Sequence, residues 1–272
     1  MFSSLLRLAV ATPLLIHAAS GAVVVADFND LTTGNLQNQT GGSGLGGSWG
    51  DTGTINVVNS DLTAPSATNY AISQSGNARS VLGGHTEYRQ SSRPLAAAMT
   101  GTVWFSFLAN NADLTSVSGI TFNVTGYTSG TPRIGLTGDT FYAGLNTYTT
   151  TSATVTLGQT ALILGRLGID SVGNETLEVW LNPDVAGGIA GLGAPAASFN
   201  EETSSINGGV SRIAIAAYRN ATGSGGQMDS ILLGNATDEN QAFADVSGVL
   251  IPEPSALVLA MAGTGLLLRR RR

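Results

Sequence analysis

Through the middle of the chain the apolar residues return at every second position, and that period decides what it can become. Ile120, Phe122 and Val124 alternate with Thr121, Asn123 and Thr125. Leu177, Val179 and Leu181 alternate with Thr176, Glu178 and Trp180, and Ile213, Ile215 and Ala217 with Arg212, Ala214 and Ala216. A period of two places each set on one face of a strand. Val103 to Leu108 and Ala161 to Leu164 are apolar on both faces, so they read as central strands covered on both sides or as strands bordering a groove. Gly-rich runs at 40–47, 83–84, 187–188, 208–209 and 223–226 supply the turns between strands. Outside the two ends no segment shows a helical stripe, and neither a repeat nor a Pro-rich linker divides the body. The expected fold is all-β: two antiparallel sheets packed as a sandwich of the jelly-roll type, in one domain over residues 23–248.

The two ends follow other rules. Residues 1–22 carry Arg7, an apolar stretch from Leu8 to Ile16 and the small residues Ala18, Ala19, Ser20 and Ala22, which is the order of a secretory signal peptide cleaved after Ser20 or Ala22. Residues 249–272 begin with Pro252-Glu253-Pro254, which cannot continue a strand or helix because each proline lacks an N–H and fixes φ. Ala256 to Leu268 then run without a charge, and Arg269, Arg270, Arg271 and Arg272 close the chain. As a helix the apolar run spans ~20 Å, short of the ~30 Å hydrocarbon core, so it reads as a marginal, temporary membrane anchor. Carrying four arginines outward costs on the order of 9 kcal/mol at 100 mV, so they act as a stop on the cytoplasmic side.

This order of Pro-Glu-Pro, apolar helix and basic end resembles the PEP-CTERM sorting signal of bacterial exported proteins. The resemblance covers about a tenth of the chain. It implies a secretion translocon, a transient anchor in the cytoplasmic membrane, and an exosortase-type membrane transpeptidase that removes the helix. The expected destination is the cell envelope or surface, or the medium.

Residues 23–251 hold seven arginines against seventeen of the eighteen acidic residues, a net charge near minus ten. Such a surface repels nucleic-acid phosphate, and no basic stripe opposes it, so nucleic acid is not an expected partner. The chain has no cysteine, which excludes disulfides, thiolate nucleophiles and Cys-ligated metals. Asp27-Phe28-Asn29-Asp30, Trp104-Phe105-Ser106-Phe107, Leu177 to Pro183 and Met228-Asp229-Ser230-Ile231 resemble the concanavalin A-like, laminin G-type sandwiches of exported bacterial proteins.

Chemistry-bearing residues are few. Of the two histidines only His85 survives removal of the signal, and no Gly-x-Ser-x-Gly elbow accompanies it for a Ser-His-Asp triad. One histidine is too few for a histidine-based zinc site. Glu175 and Glu178, three apart on a strand, face opposite sides, and Glu201-Glu202 reads as a solvated turn. Trp180 stands on the face opposite the Leu177 set; with Trp49 it is the candidate for stacking on sugar rings, packing in the core being the competing reading. Asp27, Asp30 and Asp229 would offer hard oxygen ligands to a structural Ca²⁺ if the first and late strands are neighbours; acidic turn residues without metal are the alternative. No other cofactor is expected. The expectation is an exported, non-enzymatic body that binds polysaccharide or serves as a structural surface module, with a polysaccharide-degrading enzyme on the same fold as the alternative.

Overall fold

The computed structural model describes residues 22–249 apart from 52–54, 73–79, 84–89, 124–131, 146–148, 171–173, 202–205, 207 and 220–224. Apart from Ala22 and Val249, the expected signal and sorting segments therefore fall outside the described residues, as do His85 and Glu202. Among the described residues no helix is long and apolar enough to cross a membrane.

Two antiparallel sheets form. The first contains β1 (Ala22–Ala26), β2 (Gly34–Asn35), β4 (Ile55–Val58), β5 (Ser80–Gly83), β7 (Gly101–Asn111), β12 (Ala161–Ile169), β13 (Glu175–Leu181), β14 (Ala197–Glu201) and β16 (Gly226–Asn235). The second contains β3 (Gly50–Asp51), β6 (Gln90–Met99), β8 (Ser116–Phe122), β9 (Arg133–Thr137), β10 (Thr140–Gly144), β11 (Thr149–Thr154) and β15 (Val210–Arg219). Their orders are β14-β13-β12-β7-β16-β5-β4-β2 and β11-β10-β9-β8-β15-β6-β3. β1 and β5 share one edge of β16: Ala26 pairs with Ile231 while Val81 pairs with Met228. The ladder between β16 and β7 shifts register between Asp229 and Leu232, and Ser230 takes a positive φ of 49° there. A non-glycine residue in that region marks a bend the surroundings impose.

The alternation read in the sequence holds. Ile120 and Phe122, Leu177 and Val179, and Ile213, Ile215 and Ala217 all enter the core between the sheets. β7, apolar on both faces, lies in mid-sheet between β12 and β16, with Phe105 and Phe107 in that core. Trp104 and Leu108 point the other way, into a second apolar cluster with Leu162, Leu164, Trp180, Leu232 and Phe243. The β7 pattern thus resolves into its first reading, a central strand covered on both sides.

What covers the outer side corrects the expectation that the body lacks a helical stripe. Helix α1 (Glu239–Ser247) follows β16 and buries Ala242, Phe243 and Val246. Asp238 caps it, its side chain accepting from Asn240 N at 2.9 Å, and Gly248 ends it in the left-handed region with φ 71°. Three buried apolar residues in nine are too few to stand out as a periodic stripe, so the cap and the glycine were the legible signals. Phe243 meets Trp104 edge-on with ring centroids 5.1 Å apart. Arg166 Nη1 donates to Glu239 Oε1 at 2.8 Å and Arg166 Nε to Glu178 Oε2 at 2.9 Å, so one guanidinium ties the helix to β12 and β13. The same group lies 5.8 Å from the Trp104 ring.

Asp245 is the costly residue of this helix. Its Oδ1 accepts from Gln241 Nε2 at 2.7 Å, but Oδ2 is buried with no hydrogen-bond partner. Burial raises its pKa, against the hydrogen bond from Gln241, which lowers it. The folded state therefore holds the Asp245 proton more tightly than the unfolded chain, and stability is lost as pH rises from the unfolded pKa through the folded one. Asp245→Asn should raise the melting temperature at neutral pH, and the gain should vanish well below the ordinary carboxylate pKa of ~3.9. Thermal melts of both proteins across that range check the sign.

Candidate functional site

The residues marked in the sequence separate in space. Trp49 is 1% exposed and lies beneath Arg93, whose guanidinium sits 6.0 Å from its ring centroid, with Phe28 also 6.0 Å away. Trp180 is 7% exposed, stacks on Trp104 at 5.8 Å and donates from Nε1 to Gly193 O at 3.0 Å. The expectation of Trp180 or Trp49 as a sugar-stacking platform is therefore corrected to core packing. For Trp180 the reason is that the face opposite the Leu177 set is itself covered, by α1 and the segment around Val185 and Leu192.

The three aspartates take different partners. Asp30 Oδ2 accepts from Gly42 N at 2.8 Å, and Asp27 Oδ1 from Asn29 N at 3.4 Å. Burial raises the Asp27 pKa, and the charge of Asp30 adds to the rise against the hydrogen bond from Asn29. Asp229 is fully buried at the register shift of β16; Oδ2 accepts from Leu62 N at 3.2 Å and Oδ1 from Ser230 N at 2.7 Å. Asp229 thus pins the 61–64 segment to the sheet where β1 and β5 part. Among the described residues no three His, Cys, Asp or Glu side chains gather as a metal would require. Close by, the Tyr70 hydroxyl lies 3.1 Å from Ser106 Oγ, which donates to Val246 O at 2.6 Å. Tyr70 is thereby the donor of the pair, and burial pushes its pKa up. This group joins the 61–72 segment, β7 and α1, and its role is structural. Glu175 and Glu178 do face opposite sides: Glu175 is buried and accepts from Ile206 N at 3.2 Å, while Glu178 pairs with Arg166.

The arrangement with chemical content is the outward face of the second sheet. Strand register puts Gln90, Ala216, Gly119, Gly135, Tyr142 and Thr150 on one level across six strands. The next level reads Ser92, Ala214, Thr121, Arg133 and Gly144. Arg212 follows two residues beyond Ala214, and its Nη1 donates to Ser92 Oγ at 3.2 Å. Alternation fixes this composition, because Ile213, Ile215, Ile134, Leu136 and Ile120 occupy the core side of the same strands. The centre of both levels is small, and Gln90, Ser92, Thr121, Arg133 and Tyr142 stand around it.

The floor is shaped around Tyr142. A Cβ added at Gly135 would lie 2.7 Å from the Tyr142 hydroxyl oxygen, and one at Gly119 would overlap the same atom. The phenol thus lies across two glycines, its oxygen held close over the sheet. All of these side chains are recessed: Gln90 is 1%, Tyr142 4% and Arg133 7% exposed. Among the described residues at these positions there is no Asp or Glu. Amide, phenol, hydroxyl and guanidinium groups gather there over a small-residue floor; they are as buried as Trp180, and Gln90, Thr121, Arg133 and Tyr142 each have an interaction within the fold.

Sequence reading missed this face because its members come from six strands between residues 90 and 216, and only the register unites them. The available signal was the repeat of Gly or Ala opposite apolar residues in Arg212 to Ala217 and Arg133 to Leu136.

No protein-family model matches the chain, and no curated protein does. Solved structures are similar over most of its length at low identity. An endo-beta-1,4-glucuronan lyase from the fungus Trichoderma reesei shares 11% identity at TM-score 0.43, covering 79% of this chain and 97% of the lyase. Domain 4 of AbnA, an extracellular arabinanase from Geobacillus stearothermophilus solved with arabinotriose, shares 12% at 0.47, covering 84% and 99%. The alginate lyase Aly36B, solved as a mutant with an alginate tetrasaccharide, shares 10% at 0.41, covering 80% and 98%. With two lyases among these structures, the expectation that the body is not an enzyme is withdrawn.

Gly135→Ala tests how tightly the floor is built. The added methyl would overlap Ser118 O and press on the Tyr142 hydroxyl, so the variant should lose ~1–3 kcal/mol of unfolding free energy in denaturant titration. Wild-type stability would show that the strands have room there.

Proposed function

We propose that the protein is exported and that its body cleaves polysaccharide on the outward face of the second sheet. The observation that carries this reading is the level Gln90-Ala216-Gly119-Gly135-Tyr142, in which two glycines make room for a phenol lying flat on a sheet. Glycine weakens a strand interior, so two facing glycines in neighbouring strands signal a close approach that the site requires. Gln90, Ser92 and Thr121 offer both donors and acceptors to sugar hydroxyls. Tyr142 is placed to pass a proton at the bond that breaks, and Arg133, its diagonal neighbour across β9 and β10, steadies negative charge that develops there.

The two ends supply the rest of the proposal. The signal-like residues 1–22 and the Pro252-Glu253-Pro254 segment with its apolar helix and four arginines support passage through a translocon, a temporary hold in the cytoplasmic membrane, and release of the body by an exosortase-type transpeptidase. Release would leave the body at the cell envelope or surface, or in the medium.

Two outcomes check this. Incubated with a panel of polysaccharides, the protein should shorten at least one of them, and Tyr142→Phe should slow that reaction by ~10²–10⁴-fold while circular dichroism shows the fold retained. Equal rates for the two proteins would remove Tyr142 from the chemistry, and no shortening of any polymer would remove the enzymatic reading. In a host with an exosortase-type enzyme, intact-mass measurement should find a mature species lacking Ala256 to Arg272, and Glu253→Gln should reduce its yield. A mature species still carrying those residues would leave a plain anchor.

A further inference from the structure

We infer that a cavity between the 61–72 segment and the first sheet is the socket for Leu250 and Ile251, the apolar pair that joins the body to Pro252-Glu253-Pro254. The cavity measures about 220 Å³; Leu62, Ala64, Ile72 and Leu108 line it together with Tyr70 and Ser230. Asp61 and Thr63 also border it and are exposed, which marks its open side. It lies where the cover over β7 is incomplete: Ala64, Tyr70 and Ile72 pack against the cluster of Trp104, Leu108 and Phe243, yet each stays half-buried. A recess walled by four aliphatic side chains favours an aliphatic side chain over water.

The chain itself delivers the occupant. Ser247 O accepts from Ala71 N at 3.1 Å, and Gly248 lies so near that segment that a Cβ on it would stand 2.6 Å from the Ala71 carbonyl carbon and 2.7 Å from Ile72 N. Val249 comes next and packs, half-buried, against the same apolar cluster. The end of α1 is thus set down beside Ile72, a wall of the cavity, and the two residues that follow Val249 are Leu250 and Ile251. At up to ~3.6 Å per residue both fall within ~7 Å of Val249. Other claimants fit less well. Ser73 to Arg79, which follow Ile72, include no large apolar side chain. The apolar run Ala256 to Leu268 is cut off from Leu250 and Ile251 by two prolines and the charge of Glu253, so lipid does not take the pair as part of that run. Seated in the socket, the pair completes the cover over β7 and fixes where Pro252 leaves the body, whichever way the motif beyond is processed.

Because the chain has no cysteine, paired cysteines report on this docking without background. In full-length protein held in detergent, Ala64→Cys combined with Leu250→Cys or with Ile251→Cys should close an intramolecular disulfide under mild oxidation in most molecules of at least one pair. Thr100→Cys, exposed just before β7 and roughly 27 Å from Leu108 by strand rise, should close none with either position. In the variant Leu250→Ser with Ile251→Ser, which leaves every described residue as it is, the amides of Ala244 to Gly248 should exchange with solvent at least about tenfold faster than in wild type. Bridging to position 64 no more frequent than to position 100, or unchanged exchange in the serine variant, would overturn the socket. Disulfides formed between molecules rather than within one would put a second copy's tail in the cavity and overturn it equally. The exchange comparison needs no cysteine, so it decides even if Ala64→Cys fails to fold.

Discussion

The molecule is built around a strand that has no face to spare for water. β7 sends Val103, Phe105, Phe107 and Ala109 into the core between the sheets, and Trp104 and Leu108 into the cluster beneath α1. Without cysteine no covalent staple exists, so each of these faces needs an apolar partner, worth ~1.5–3 kcal/mol for each large side chain fully buried. The second sheet covers one face. Covering the other requires α1, the 61–72 segment and the stretch from Val185 to Leu192, and it explains why Arg166, Asp229 and Tyr70 spend their hydrogen bonds fastening those pieces down.

That arrangement also decides where a ligand site can be. The outer side of the first sheet is taken by cover. On the second sheet the outward residues are small or polar and need no apolar lid, because Ile120, Ile134, Leu136, Ile213 and Ile215 already supply the core from the opposite side. The polar levels with Gln90, Arg133 and Tyr142 are themselves buried, so the fold bears the cost of taking an amide, a guanidinium and a phenol out of water on that side.

The parts legible in the sequence are those set by residues near one another along the chain. The alternations at Leu177 and Ile213 placed their strands, and the two-sided run at Val103 marked the centre of a sheet. The opposite sides of Glu175 and Glu178 followed from strand parity. Trp180 misled because parity tells which face a side chain takes, not whether another element lies over that face. α1 escaped because its apolar set is three residues. The outward face of the second sheet was hidden for a third reason: Gln90 becomes a neighbour of Ala216, and Gly119 of Gly135, only once strands far apart in the chain have paired in register.

The pairing of β1 with β16 has a bearing on timing. Ala22 meets Asn235 and Ala26 meets Ile231, so the first strand of the body is completed by nearly the last. β16 also separates β7 from β5, and the central ladder stays open until it arrives. Contacts of such long sequence separation make folding slow, and a chain emerging from its N-terminus holds β1 without its ladder partner until β16 appears, although β2, β4 and β5 can pair among themselves earlier. The sandwich therefore closes only when a chain of about 235 residues is present, with its first and nearly its last strand side by side.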